Sequence, residues 1–250
     1  AHDMASVQAA AGFGKSLSAA DFTGNGLAAT DAAFSGDGKL SHSLDETIAI
    51  RTKFLTEYQN AAYARQYTDF VAKVRAGEQQ HSPEFTGLTE AVAKYLFKLM
   101  AYKDEYEVAR LYSSPAFLKQ IADTFEGDIK LHLNLAPPLF AKKDADGHLI
   151  KQEFGAWALP AIKTLRHLKF LRGTALDVFG KTEERKMERA LIEDYKRDIE
   201  TVVSKLSVGN HVQAVQFARL PEHIRGFGYV KEKHVAKVKA QWAELMAKFA

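Results

Sequence analysis

The chain has no cysteine in its 250 residues. That excludes disulfides, a thiolate nucleophile and any cysteine-ligated zinc or iron–sulfur cluster within it, and it fits a cytoplasmic protein. An excess of charge of either sign is also lacking, with 34 Lys and Arg against 31 Asp and Glu. A formal net charge of +3 gives no compositional argument for nucleic acid or membrane as partner. No apolar run approaches the ~18 residues that a membrane span needs. The longest, Phe154 to Ile162, is interrupted by Pro160. The N-terminus lacks the basic-then-apolar pattern of a secretory signal. The chain opens on Ala1, as after methionine removal or inside a longer polypeptide. Internal repeats are absent, and so is a sustained heptad.

Histidine offers no metal spacing. Nine are present without an H-x-x-x-H or H-E-x-x-H pair. His132 alternates with apolar residues and is expected to face solvent, and His167 lies in a basic stretch with Lys163, Arg166 and Lys169. Gly12-Phe-Gly-Lys-Ser16 ends like a phosphate loop, but the required first glycine falls on Ala9. Lys142 to Glu153 has a calcium-loop outline with Lys142 where the first carboxylate must sit, so a hairpin turn is the better reading. Gly36-Asp37-Gly38 followed by Asn60 is too short for the thiamine diphosphate turn, and Asn60 is expected inside a helix.

What is present is core and helix. Hydrophobic content of 46% suits a globular domain. Residues 1–42, rich in Ala, Gly, Ser and Asp, read as a linker or arm. Ser43-Leu-Asp-Glu46 has capping-box spacing and should open a long helix. Ile48, Leu55, Ala62 and Phe70 continue it, with Gly77 as the stop. A loop over 81–87 and a second long helix, about Leu88 to Tyr112, follow. Ser114-Pro115 starts a short helix that Gly127 ends. Ile129 to Leu135 alternates as a strand, and His148 to Phe154 returns as its partner around Asp144-Ala-Asp-Gly147. Helices are then expected at about 156–172, 182–206, 208–219 and 229–249. The fold class is mainly α: a helical domain over 43–250 with a small two-stranded β insertion near residues 129–154.

Charged clusters supply the candidate sites. Asp104, Glu105 and Glu107 lie beside Lys103 and Arg110. Helical pairs Lys103/Glu107 and Glu107/Arg110 at the surface are the expectation, with a buried polar network or a catalytic role as the alternatives. Arg172-Gly173 and Arg225-Gly-Phe-Gly228 read as turns carrying surface arginines, or as an anion or docking site. From Tyr229 onward five lysines face two glutamates, a solvated helix face or a surface for an anionic partner. Lys103, Arg110, Arg172 and Arg225 together are candidates for binding a cofactor.

Several long words in this chain also carry a resemblance. They are Phe54-Leu-Thr-Glu-Tyr-Gln-Asn-Ala-Ala-Tyr-Ala64, Tyr102 to Leu111, Leu135-Ala-Pro-Pro-Leu139, Glu153-Phe-Gly155, Arg172 to Gly180, Glu188-Arg-Ala-Leu-Ile192 and Arg225 to Gly228. In this order they resemble the C-terminal region of bacterial indolepyruvate ferredoxin oxidoreductase, of the 2-oxoacid:ferredoxin oxidoreductase family. Ala1-His-Asp resembles the end of that family's γ-type domain, and Gly12 to Ser41 has no such match. The resemblance implies a cytoplasmic enzyme, homo-oligomeric as a whole. It decarboxylates aryl pyruvates with thiamine diphosphate, magnesium and [4Fe-4S] clusters, reduces ferredoxin and passes the acyl group to coenzyme A. It implies that those cofactors lie in other domains or subunits, which would be this segment's partners. No catalytic residue carries over. Two further readings stand beside it: a free-standing helical interaction module using the basic C-terminal helix, and an auxiliary coenzyme A region built from Lys103, Arg110, Arg172 and Arg225.

Overall fold

The computed structural model describes residues 43–127, 130–135, 150 and 152–249. Two compact units divide at Thr47 and Ile48. Of the first, the described part is the opening turn of helix α1 (Leu44–Tyr58), where Ser43 Oγ accepts from the Glu46 N–H at 3.1 Å. All else belongs to the second unit. Residues 1–42, with the phosphate-loop-like and Gly-Asp-Gly segments and the expected linker, lie outside the described residues. So do Ile129 and most of the Lys142–Glu153 turn.

Each of the two long helices expected in the first half is broken into two. The expected helix 44–77 is α1 followed by α2 (Ala61–His81). The break falls at Asn60, which takes an extended conformation and accepts from the Tyr63 N–H at 2.8 Å. Asn60 is a cap, not an interior helical residue. The expected helix 88–112 is α3 (Gly87–Met100) and α4 (Glu105–Tyr112), broken before Asp104. Asp104 Oδ1 accepts from the Glu107 N–H at 2.8 Å. Apolar spacing runs through both breaks because the helices on either side bury residues in the interior.

Gly77 does not stop α2. A Cβ there would meet Val203 Cγ1 at 2.3 Å, so glycine lets α2 approach α7 (Glu183–Ser204). Helix α3 is the centre of the fold, with nine of its fourteen residues buried. Helices α2, α7 and α8 (His211–Arg219) pack around it. A helix apolar on most sides is stable only when so enclosed. Tyrosines fasten the layer. Tyr67 donates to Ala93 O at 2.9 Å and Tyr63 to Met100 O at 2.9 Å. Tyr58 donates to Tyr102 O, and Tyr195 to Ala218 O, each at 2.8 Å. Each ring buries area while its hydroxyl takes an available carbonyl.

A second, smaller core lies under a hairpin. After α5 (Pro115–Thr124), β1 (Leu133–Leu135) pairs antiparallel with β2 (Gln152–Phe154), with Leu133 opposite Phe154. Leu133 packs with Ala109 of α4, and with Ala158 and Ile162 in and before α6 (Leu159–His167). The α6 region is a helix flanked by 3-10 turns at 156–158 and 168–171, not one helix over 156–172. Helix α9 (Tyr229–Ala247) closes the fold through Val235, Val238 and Trp242. The protein is therefore mainly α with one two-stranded antiparallel sheet among the described residues. Among those residues no helix is long and apolar enough to cross a membrane.

Candidate functional site

The densest chemistry lies where α1 ends, α4 begins and the 168–180 segment turns back. Arg172 is buried, not a surface residue. Its Nε reaches Asp104 Oδ2 at 2.5 Å and its Nη2 reaches Oδ1 at 2.8 Å, a two-bond fork. Nη1 donates to Tyr58 O at 2.6 Å, the last carbonyl of α1. The guanidinium lies 3.7 Å from the centroid of the Tyr58 ring. Burial works to lower the Arg172 pKa, but its hydrogen bonds to Asp104 and the Asp104 charge outweigh this and hold it above the usual arginine value. Asp104 thus caps α4 through Oδ1 and binds Arg172 through both oxygens.

Asp177 is the second buried anchor of this segment. Its carboxylate accepts from Gly173 N at 2.8 Å, Gly180 N at 2.9 Å and the Tyr106 hydroxyl at 3.1 Å. Gly173 stands at φ +78, a left-handed position that favours glycine. At Gly180 a Cβ would collide with Asp177 Oδ2 at 2.2 Å. The Leu-Asp-Val-Phe-Gly word is thus spelled by a carboxylate folding its own loop.

A neighbouring ionic cluster joins α4, α7 and α9. Arg185 lies 2.5 Å from Glu188, 3.5 Å from Glu105 and 3.9 Å from Glu184. Burial works to lower its pKa, and Glu188, Glu105 and Glu184 together raise it above the usual value. Burial raises the Glu105 carboxyl, against the opposing pull of Arg185. Lys231 of α9 pairs with Glu188, and Gly228 N donates to Glu184 at 2.9 Å. One lysine of the basic helix is thereby turned inward. Lys233, Lys237, Lys239 and Lys248 are exposed.

The four sequence candidates fall in two pairs. Arg110 forks to Glu107 with two bonds of 2.8 Å, reaches Glu57 at 3.4 Å and sits beside Arg172 at the end of α1. Lys103 lies 5.0 Å from the Phe227 ring, close in sequence to the exposed Arg225, whose Nε donates to Glu222 O at 3.3 Å. The acidic cluster is a buried polar network rather than surface pairing: Asp104 and Glu107 are both buried. His132 is half-exposed and pairs across the hairpin with Glu153, while His167 is exposed.

Sequence reading missed Asp177, Arg185 and Glu188, and it missed Glu78 and His211 altogether. Glu78, fully buried in α2, accepts from Leu88 N and Thr89 N at 2.8 Å each, from the Thr89 hydroxyl, and from His211 Nε2 at 2.6 Å. It caps α3 from outside, where the Thr86 side chain at the N-cap makes no capping bond and donates to Glu90 at 2.8 Å instead. The local trace is an acid near the end of a long helix, which periodicity reads as surface. Among the described residues no group of three or more His, Asp or Glu side chains is placed to hold a metal ion.

A family model described as a family of unknown function, DUF6537, matches residues 44–244. The chain belongs to the DUF6537 family. The matched span runs from the first residue of α1 into α9, so both charged centres and the Glu78 cap lie within it. No curated protein and no solved structure matches the chain.

Proposed function

We propose that this DUF6537 chain is a non-catalytic, structural domain of an aryl-pyruvate:ferredoxin oxidoreductase, whose thiamine, magnesium and iron–sulfur chemistry is held by other domains or subunits. One observation carries the reading. The words that resemble that family are spent on one another. Asp104 of the Tyr102–Leu111 word binds Arg172 of the Arg172–Gly180 word, and Tyr106 binds Asp177 of the same pair of words. Phe227 of the Arg225–Gly228 word lies against Lys103, and Glu188 holds Lys231 at the start of α9. Charged groups paired mainly with each other serve packing and register; a reacting centre needs groups aimed at a substrate.

In that role the domain packs on its neighbours and shields reactive carbanion and radical intermediates from water. The test is a deletion in the full native polypeptide that removes residues 88–250. Loss of assembly or of bound thiamine and clusters, with turnover of indolepyruvate falling in step, is the expected result. Unchanged turnover, cofactor content and assembly would overturn the reading.

A further inference from the structure

One segment of the fold exposes apolar and cationic side chains on a hydrogen-bonded frame. Leu168, Phe170, Leu176 and Val178 are exposed at 37%, 60%, 72% and 48% on the segment between α6 and α7. Large apolar side chains set that far into water on neighbouring turns are the mark of an interaction site. The stretch from Leu159 to Thr182 carries Lys163, Arg166, Lys169, Arg172 and Lys181 against Asp177 alone. Arg172 is neutralised by Asp104 and Asp177 is buried under the loop, so the charge left at the rim is positive. Lys169 donates to the Glu57 carbonyl, and the half-exposed Glu57 carboxylate lies 3.4 Å from Arg110.

The frame that presents these side chains is fixed from beneath. Arg172 ties one end of the turn to α1 and α4, and Asp177 ties the other to Gly173, Gly180 and Tyr106. Backbone bonds Arg172 N to Lys169 O, Thr174 N to Leu171 O and Asp177 N to Thr174 O close the intervening turns. A pre-ordered loop gives up little entropy on docking and holds its apolar groups at set spacings. A bilayer has no shape to match and gains nothing from this frame, whereas a protein surface does.

We infer that the 168–178 loop is a docking surface for another protein, whose matching patch has an apolar centre rimmed by aspartate and glutamate. Buried apolar anchors supply the affinity and the lysine rim supplies steering and register. The inference stands apart from the oxidoreductase reading, since the loop's chemistry defines the partner whichever enzyme it belongs to.

The experiment places a photo-crosslinking amino acid at Leu176 in the full native polypeptide, expressed in its own cells, and at exposed Val212 as control. Crosslinked peptides are sequenced by mass spectrometry. The expected result is one defined peptide flanked by carboxylates, captured from Leu176 and not from Val212. Its yield should fall about tenfold or more with Phe170→Ser or with Lys169→Glu plus Lys181→Glu, and recover when the partner's carboxylates are changed to lysine. A thermal melt of Phe170→Ser at the wild-type midpoint shows that the fold is intact. Crosslinking to lipid, to the same loop of a second copy, to nothing, or to a peptide indifferent to the charge reversal would each overturn the proposal. So would loop-dependent cosedimentation with phosphatidylserine vesicles.

Discussion

The Arg172 guanidinium forks onto both oxygens of Asp104 while lying against the face of Tyr58, so three segments far apart in sequence meet at one buried ion pair. Removing one partner strands a buried charge. Arg172→Ala or Asp104→Ala is expected to destabilise by about 3–5 kcal/mol, read as a lower urea midpoint with the slope unchanged. Arg172→Met with Asp104→Leu together should recover much of that loss, because no charge is left stranded.

Glu78 reaches across from α2 to hold the first N–H groups of α3, the central helix. Glu78→Ala should cost about as much as the Arg172 change, and Glu78→Gln less, since an amide oxygen still accepts one N–H. Hydrogen exchange at Leu88 and Thr89 should accelerate in both variants. Unchanged exchange would mean that the α3 terminus is held by something else.

Gly77 and Val203 form a contact with no room for a methyl group. Gly77→Ala should destabilise by about 1–3 kcal/mol from overpacking, despite alanine's better helix propensity. Val203→Ala in the same chain should return most of it. An additive double variant would refute the contact.

Burial pushes the Tyr67 and Tyr102 hydroxyls up to about 12, and raises Tyr58 and Tyr195 well above their ordinary value. An unfolded tyrosine loses its proton near pH 10. Above that pH the unfolded chain binds fewer protons than the folded one, so stability falls as pH rises. The stabilisation is fully present below about pH 10 and is lost progressively toward about 12. Tyrosinate absorbance during an alkaline titration should therefore appear in one cooperative step with loss of helical circular dichroism. A gradual titration with the helices intact would contradict the burial of these rings.

The two tryptophans sit in opposite environments. Trp157 is 74% exposed, whereas Trp242 is 9% exposed, with its indole N–H on Asp198 at 2.7 Å and its ring against Phe217 and Tyr195. Trp157→Phe should leave a single blue-shifted emission resistant to iodide. Trp242→Ala should destabilise by about 3–5 kcal/mol and loosen α9.

Most helices were readable because apolar spacing reports which residues face an interior. The Ser114-Pro115 start, the α7 and α9 spans and the hairpin all follow from local rules of capping, period and turn chemistry. The two breaks were not readable. Asn60 and Asp104 look like ordinary polar residues of a continuing helix, and their capping role appears only where the backbone turns extended and the side chain accepts an N–H of the next helix.

The sequence alone determined helical class, the absence of cysteine chemistry, and the register of each amphipathic face, because these depend on neighbours three or four residues apart. Tertiary structure decided which charges are sites and which are fastenings. Asp104 with Arg172, and Glu78 with His211, are 68 and 133 residues apart in sequence. A buried charge is stable only beside its partner, and that partner is chosen by how helices pack in three dimensions.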